Sequence, residues 1–526
     1  MTAGHPFVLG DSVARQIVRE RRTWQFVYLA TLLVGAVLTL VAWRRAPGWI
    51  SVAAAVLILL LVAWVVRPIV ALHLTVFFVL VSDSVTAAWY PMAKNFSSRE
   101  SLLYLSDRLT FSPLDVTLAF ATACLLVRRV ATQVPLVKDP LLRPVLVFTG
   151  FVVLGLLYGM ARGGDRRIAV FEVRPLLYLP MVYVVAANLC RSAGQYRRLL
   201  WTAMGAVLSN TLLSLIYYSG LSHGRQTSLE SLGEHGSAVG MNTLFILFIG
   251  TCLLRGSSTK SRCVLILMTL PVGWVYFLSN RRAAVVGLLA GLALLSVILF
   301  WRQPRTFWRI VPVVAVLVAA YVAAFWNSKS SAAFPAQAIK SVISPNSLSA
   351  RDQSSDLYRQ IENNDLNFTI RQTKLTGVGF GRPFYQPYPL PDLSSFFEFH
   401  AYIPHNSVLW IWLQTGFAGF VAMMYLLGRG LMVGASKIRR LGDSEDVMVV
   451  ATAALFIAMY SVFAYVDIAW DARNMVFLGV ALALCANFPV PAAPRASIDE
   501  TEIDVSLNAL RPRQKSASTS VAMRSA

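Results

Sequence analysis

The residues able to do chemistry in this chain are arginines and one histidine, set at the ends of long apolar runs. The connecting segments hold Arg162, Arg166, Arg167 and Arg174, then His223 and Arg225, then Arg281 and Arg282. Guanidinium groups present planar, paired donors to phosphate oxygens and stay ionised in a low-dielectric setting, so such a strip suits a diphosphate-headed lipid. The stretch "SGLSHGRQTSLESLGEHGSAVGMNTLF" puts Arg225, Glu234 and His235 in one Gly- and Ser-rich loop before a helix. In "FLSNRRAAVVGLL" one helix ends at Ser279 and Asn280 and the next begins almost at once, which keeps Arg281 at the membrane boundary. "IPHNSVLWIWLQTGFAGF" places His405 beside Asn406 at a helix start, where the helix dipole disfavours an imidazolium and leaves a neutral base.

Each candidate has a plainer alternative. Arginines near a bilayer snorkel to phospholipid headgroups, and Arg44, Arg45, Arg166 and Arg167 are read that way, whereas Arg225 and Arg281 are read as functional. Asp83, in "LVSDSVTAAW", is an ionisable residue in an apolar run and either serves function or pairs with an interior Arg or Ser. Asp467, Asp471 and Arg473 are candidates for a local ion pair, and Glu172 with Arg174 for a salt bridge anchoring a helix start. No G-x-x-x-x-G-K-[ST], H-x-x-x-H or D-x-D spacing occurs, and "GVGFG" reads as a flexible loop rather than a dinucleotide fingerprint. The five cysteines lie in or beside apolar runs without metal-ligand spacing, so neither a disulfide framework nor a zinc site is encoded, and no cofactor is implied.

Apolar residues make up 56% of the 526 positions and charged residues only 14%, against about 25% in soluble domains. Runs long enough to cross a bilayer recur from Trp24 to Phe488, which excludes a soluble enzyme and a disordered chain. They predict an all-α polytopic bundle of about 14 spans, the first over 24–43, another over 69–90, with one long outer loop between the eleventh and twelfth. The net charge of +21 reflects basic loops retained on the inner side rather than nucleic-acid binding. With the N-terminus inside, clusters such as Arg128 and Arg129, Arg197 and Arg198, and Arg439 and Arg440 all fall inside too.

The expected organisation is a basic N-terminus (1–23), eleven helices (24–326), an extracytoplasmic segment (327–404), three further helices (405–488) and a disordered cytoplasmic tail (489–526). The extracytoplasmic segment is Ser-, Asn- and Gln-rich at first, suited to one or two surface helices. It then becomes rich in Gly, Pro and aromatics, as an irregular lid at the membrane surface would be. Tyr385, Tyr388 and Phe396 are among its aromatic rings.

The order "GRQTS…GSAVGMN", "SNRRAAVVGLLAGL", "GVGFG" and "HNSVLWIWLQTGFAG" resembles the O-antigen ligase/O-antigen polymerase superfamily of bacterial envelope enzymes. The upstream "FEVRPLLYLPMVYVV" is similar to a segment of many members, and the resemblance runs from about Phe171 to Leu427. It implies a GT-C-like, metal-independent glycosyltransferase of the bacterial inner membrane. Such an enzyme moves a glycan from an undecaprenyl-diphosphate carrier to the hydroxyl of a saccharide or lipid-linked saccharide. Arg225 and Arg281 match the family's two outer-face arginines, and His405 matches the histidine opening the helix after the long loop. Arg282, Arg174, Asn406 and Glu234 are the accompanying substrate-binding candidates. The alternative is a polysaccharide or lipid-glycan flippase, which calls for charges buried at the midplane and for broken helices in paired halves.

Overall fold

In the computed structural model the described residues are 49–90, 92, 94–223, 232–254, 258–328, 330–344, 350–392 and 398–490. The run at 24–43, Arg225, Phe396 and most of the tail lie outside them. Fifteen α-helices occupy the described residues, with no strand among them. In chain order they are α1 (Trp49–Val66), α2 (Pro68–Val81), α3 (Pro113–Thr132), α4 (Leu142–Ala161), α5 (Arg166–Leu189), α6 (Ala193–His223), α7 (Ser237–Leu253) and α8 (Thr259–Ser279). There follow α9 (Arg282–Arg302), α10 (Pro304–Phe325), α11 (Phe334–Ile343), α12 (Ala350–Gln372), α13 (Ser407–Arg440), α14 (Ser444–Val466) and α15 (Ala472–Asn487). Eight of them are long and apolar enough to cross a membrane, and four shorter apolar stretches accompany these.

Side chains at helix ends sort the bundle into two faces. On one, Arg473 at the start of α15 meets Asp83 just past α2, and Arg282 at the start of α9 meets Asp356 on α12. On the other, Asn487 donates to Asp139 at 3.0 Å, Arg197 pairs with Asp443 and Asp446, and Arg302 donates to the carbonyl of Leu441. The first, called here the site face, carries α11 and α12. The opposite face carries Arg128, Arg129, Arg197, Arg198, Arg439 and Arg440.

Local sequence sets the helix starts. Ser112 and Asp115 form a reciprocal capping box at α3; Asp165 accepts from the N–H of Ile168 at α5, and Asp471 from those of Arg473 and Asn474 at α15. The core lies along α5, α14 and α15, where Phe456, Phe463 and Tyr183 are buried. Gly479 allows α15 to approach α5 closely: a Cβ there would sit 2.8 Å from the carbonyl of Leu179. By contrast α10 buries no residue, as suits a helix surrounded by lipid.

Two expectations need correction. The helix expected over 69–90 stops at Val81, and the described residues between 82 and 112 form irregular backbone, so Asp83 lies just beyond the helix rather than inside it. Nor is "GVGFG" flexible. Gly379 has φ 84°, and a Cβ there would meet the backbone of Gly159 at 2.5 Å; Phe380 is fully buried; and the Gly381 carbonyl accepts from Asp165 N–H at 2.8 Å. Close packing against α4 and α5 selects glycine here. The segment continues along α13, where the N–H of Val378 donates to Leu413 at 2.7 Å and that of Phe417 to Leu375 at 3.2 Å. Both bonds pass a break in α13 at Gly416, with φ 70° and ψ −179°.

Candidate active site

His405 immediately precedes the cap of α13, whose first turn is closed by Asn406 Oδ1 accepting from Leu409 N–H at 3.0 Å. Its backbone N–H donates to Glu362 Oε2 at 2.9 Å, and its Nδ1 lies 3.2 Å from both Glu362 oxygens. Glu362 is buried on α12. A carboxylate at Nδ1 accepts the N–H there and leaves Nε2 for a substrate, which adds to the helix-start effect an orienting partner that the sequence reading lacked. Tyr358, one turn before Glu362, sets its ring edge-on to the imidazole at 5.7 Å.

A second histidine faces the first. The rings of His235 and His405 are 6.4 Å apart and nearly perpendicular, and Nδ1 of His235 lies 2.7 Å from Oδ1 of buried Asp467. Arg359 reaches the other oxygen of Asp467 at 4.0 Å. Burial opposes the charge on Asp467, but His235, Arg359 and Arg281 hold its carboxyl below the usual carboxylate range. Burial lowers His235 from its ordinary value, and Arg281 adds to this, by more than Asp467 restores. His235 keeps 40% of its side chain exposed and lines the wall of a cavity.

The two neighbouring arginines differ in their partners. Arg282 is bound in parallel by the two carboxylate oxygens of Asp356, at 2.9 and 3.0 Å, tying α9 to α12. Arg281, held between the left-handed Asn280 and the start of α9, donates from Nη2 to the Gly233 carbonyl at 2.8 Å. Its buried Nε has no hydrogen-bond partner among the described residues. Arg281 therefore has donor capacity left for an anion, close to Asp467 and His235. A cavity of about 340 Å³ beside this group is lined by Arg282, Asp356, Arg359, Glu362, His405 and Asn406.

The other candidates each have partners of their own. Arg174 donates to Asn95 Oδ1 at 2.6 Å and to the Thr110 carbonyl at 2.7 Å, and pairs with Asp115 at 3.4 Å. The bridge expected between it and Glu172 does not form. Glu172 is buried and instead accepts from Gly381 N–H at 2.6 Å, Gln414 Nε2 at 3.0 Å and Trp410 Nε1 at 3.4 Å, joining α5, the glycine segment and α13. Asn406 uses its oxygen in the cap and its Nδ2 on Asn363 at 3.1 Å. Tyr385 and Tyr388 do not line this cavity.

Glu234 belongs to a charge cluster around buried Arg473, which binds Glu234 and Asp83, the latter at 3.0 Å, and lies 3.7 Å from Asp471. Burial opposes the charge on Asp83, but Arg473 and the N–H groups of Glu234, Thr86 and Val85 hold its carboxyl low. Burial pushes Glu234 upward; Arg473 offsets this only partly because Asp83 and Asp471 repel a third negative charge.

The sequence reading missed Glu362 and Arg359. Their signal lay in "DLYRQIENND", where Asp356, Arg359, Glu362 and Asn363 recur at spacings that align on one side of a helix. Among the described residues no cluster of three or more His, Cys, Asp or Glu side chains is arranged to hold a metal ion.

No curated protein sequence matches the chain. Residues 263–424, which carry Arg281, Arg282, Glu362 and His405, match the family model described as O-antigen ligase, and this supports placing the chain in the O-antigen ligase/polymerase superfamily that its motif order resembles.

Proposed function

We propose that the chain transfers a glycan from undecaprenyl diphosphate to the hydroxyl of a saccharide or lipid-linked saccharide acceptor, at the outer face of the bacterial inner membrane. The observation that carries this reading is that Glu362-backed His405 and partner-poor Arg281 both lie beside His235 and both fall inside the stretch that matches the family. The basic residues of the opposite face support a cytoplasmic assignment for it, and so an outer position for the site.

The acceptor oxygen forms a bond to the anomeric carbon of the donor as the bond from that carbon to the phosphate oxygen breaks. Nε2 of His405 takes the acceptor's proton, and the undecaprenyl diphosphate leaves with the electron pair. Arg281, together with Arg225, holds the diphosphate and offsets the charge that grows on it, so the cationic role that a metal fills elsewhere falls to guanidinium groups. Attack opposite the leaving group inverts the anomeric centre. Glu362 keeps the imidazole oriented.

Comparing lipid-linked and surface glycans in a deletion strain tests this reading. Restoration by the wild-type gene but not by His405→Ala or Arg281→Ala, at equal membrane levels, supports it. Restoration by both variants refutes the assigned roles.

A further inference from the structure

A second cavity, of about 320 Å³, lies on the other side of the histidine pair, bounded by Ser84, α5, Glu234–Gly236 and the start of α15. Its size falls in the lower part of the range of ligand pockets, about 300–1,000 Å³. Nothing in the transfer step above uses it.

Its chemistry differs from that of a phosphate site. Among the described residues every cation on its wall has carboxylate partners: Arg473 has Asp83, Glu234 and Asp471; Arg174 has Asp115; Lys94 has Glu100 at 3.2 Å. The described wall therefore leaves little unspent positive charge for a diphosphate. The wall does offer acceptor oxygens, since the side chains of Glu234 and Asp471 keep about a quarter of their surface exposed. Beside them are the rings of Phe171 and Trp470, set edge to face at 5.9 Å, with Trp470 stacked at 4.8 Å on buried Trp410 and so fixed in place. Carboxylates that accept from hydroxyls, next to immobilised aromatic faces, fit an uncharged, hydroxyl-rich ring. His235 stands on this wall with its ring 6.4 Å from that of His405, so the cavity lies next to the group proposed to take the proton.

We propose that this cavity binds a neutral sugar of the acceptor, with Glu234 and Asp471 receiving its hydroxyls and His235 marking the side that faces the reaction centre. The proposal rests on the transfer reading above, and it assigns donor and acceptor to opposite sides of the histidine pair.

The test uses the full chain in nanodiscs, with methyl glucoside, methyl galactoside and methyl mannoside as sugar probes and inorganic pyrophosphate as the anion probe. Ala472→Phe fills the cavity from the start of α15, and Ser84→Phe fills it from the opposite wall. Saturation-transfer NMR on the sugars is expected to weaken about tenfold in both filled variants, while the thermal shift induced by pyrophosphate stays as in wild type. His405→Ala is expected to keep the sugar signals, which separates this site from the chemistry: loss of transfer in that variant bears on the reaction, and sugar binding bears on the cavity. Sugar signals absent in wild type, unchanged in both filled variants, or lost in His405→Ala would overturn the proposal. So would filled variants that lose the pyrophosphate shift and keep the sugars.

Discussion

Glu362 and His405 are 43 positions apart in sequence, yet both carboxylate oxygens of Glu362 lie 3.2 Å from Nδ1 of the histidine, and one also accepts the histidine's backbone N–H at 2.9 Å. The contact joins α12 to the start of α13 and decides which imidazole nitrogen faces the cavity. Replacing Glu362 by Gln keeps the shape and removes the charge. Under the proposed mechanism Glu362→Gln slows transfer about 10²-fold with the acceptor KM unchanged, and displaces the pH profile of kcat. An unaltered rate and profile would make the contact merely structural.

Arg281 and Arg282 separate experimentally because their partners differ. Arg281→Ala is expected to cost about 10²–10³ in transfer rate with little change in melting temperature. Arg282→Ala and Asp356→Ala should each lower stability, by about 1 kcal/mol, and the double variant by no more than either alone. Thermal melts in detergent alongside transfer assays check both. Additive losses in the double variant would mean that the pair does not act as a unit.

Stability should depend on pH through Asp467. Its carboxyl is held below the ordinary carboxylate range, so folding favours the ionised form. That contribution is present above about pH 4, the unfolded value, and is lost as the pH falls through the lower folded value. Asp467→Asn should therefore melt earlier than wild type at pH 7, and the gap should narrow as the pH drops below about 4. A gap independent of pH would contradict the assignment.

At Gly416 the break in α13 puts the missing Cβ 2.1 Å from the carbonyl of Leu375, at a φ that L side chains rarely adopt. Gly416→Ala should cost about 1–3 kcal/mol from backbone conformation, and more from the clash. Melting temperature and membrane yield report this directly. A neutral outcome would mean that the segment at 375–381 can detach without penalty.

Much of the bundle was legible because a hydrocarbon solvent imposes a length on each apolar run, and helix after helix appears where such a run was read. The tight link at Asn280 and the helix start at His405 were legible for the same reason: caps and polar breaks stand out against apolar sequence. Pairings across long separations were not. Nothing local to Asp83 points to Arg473, which lies 390 positions away, or turns Glu172 from neighbouring Arg174 toward Gly381. Those choices are made by helix packing, which brings buried charges to partners that composition cannot name. The rigidity of "GVGFG" was hidden in the same way: glycines read as freedom when seen alone, and as close approach once α4 and α5 are beside them.

The most direct test of the central claim is the size profile of lipid-linked and surface glycans in a deletion strain carrying His405→Ala. The account predicts normal membrane levels of the variant with transfer abolished: either full-length polymer left on its lipid carrier, as loss of a ligase would give, or single repeat units in place of long chains, as loss of a polymerase would. A profile identical to that of the complemented wild type would contradict it.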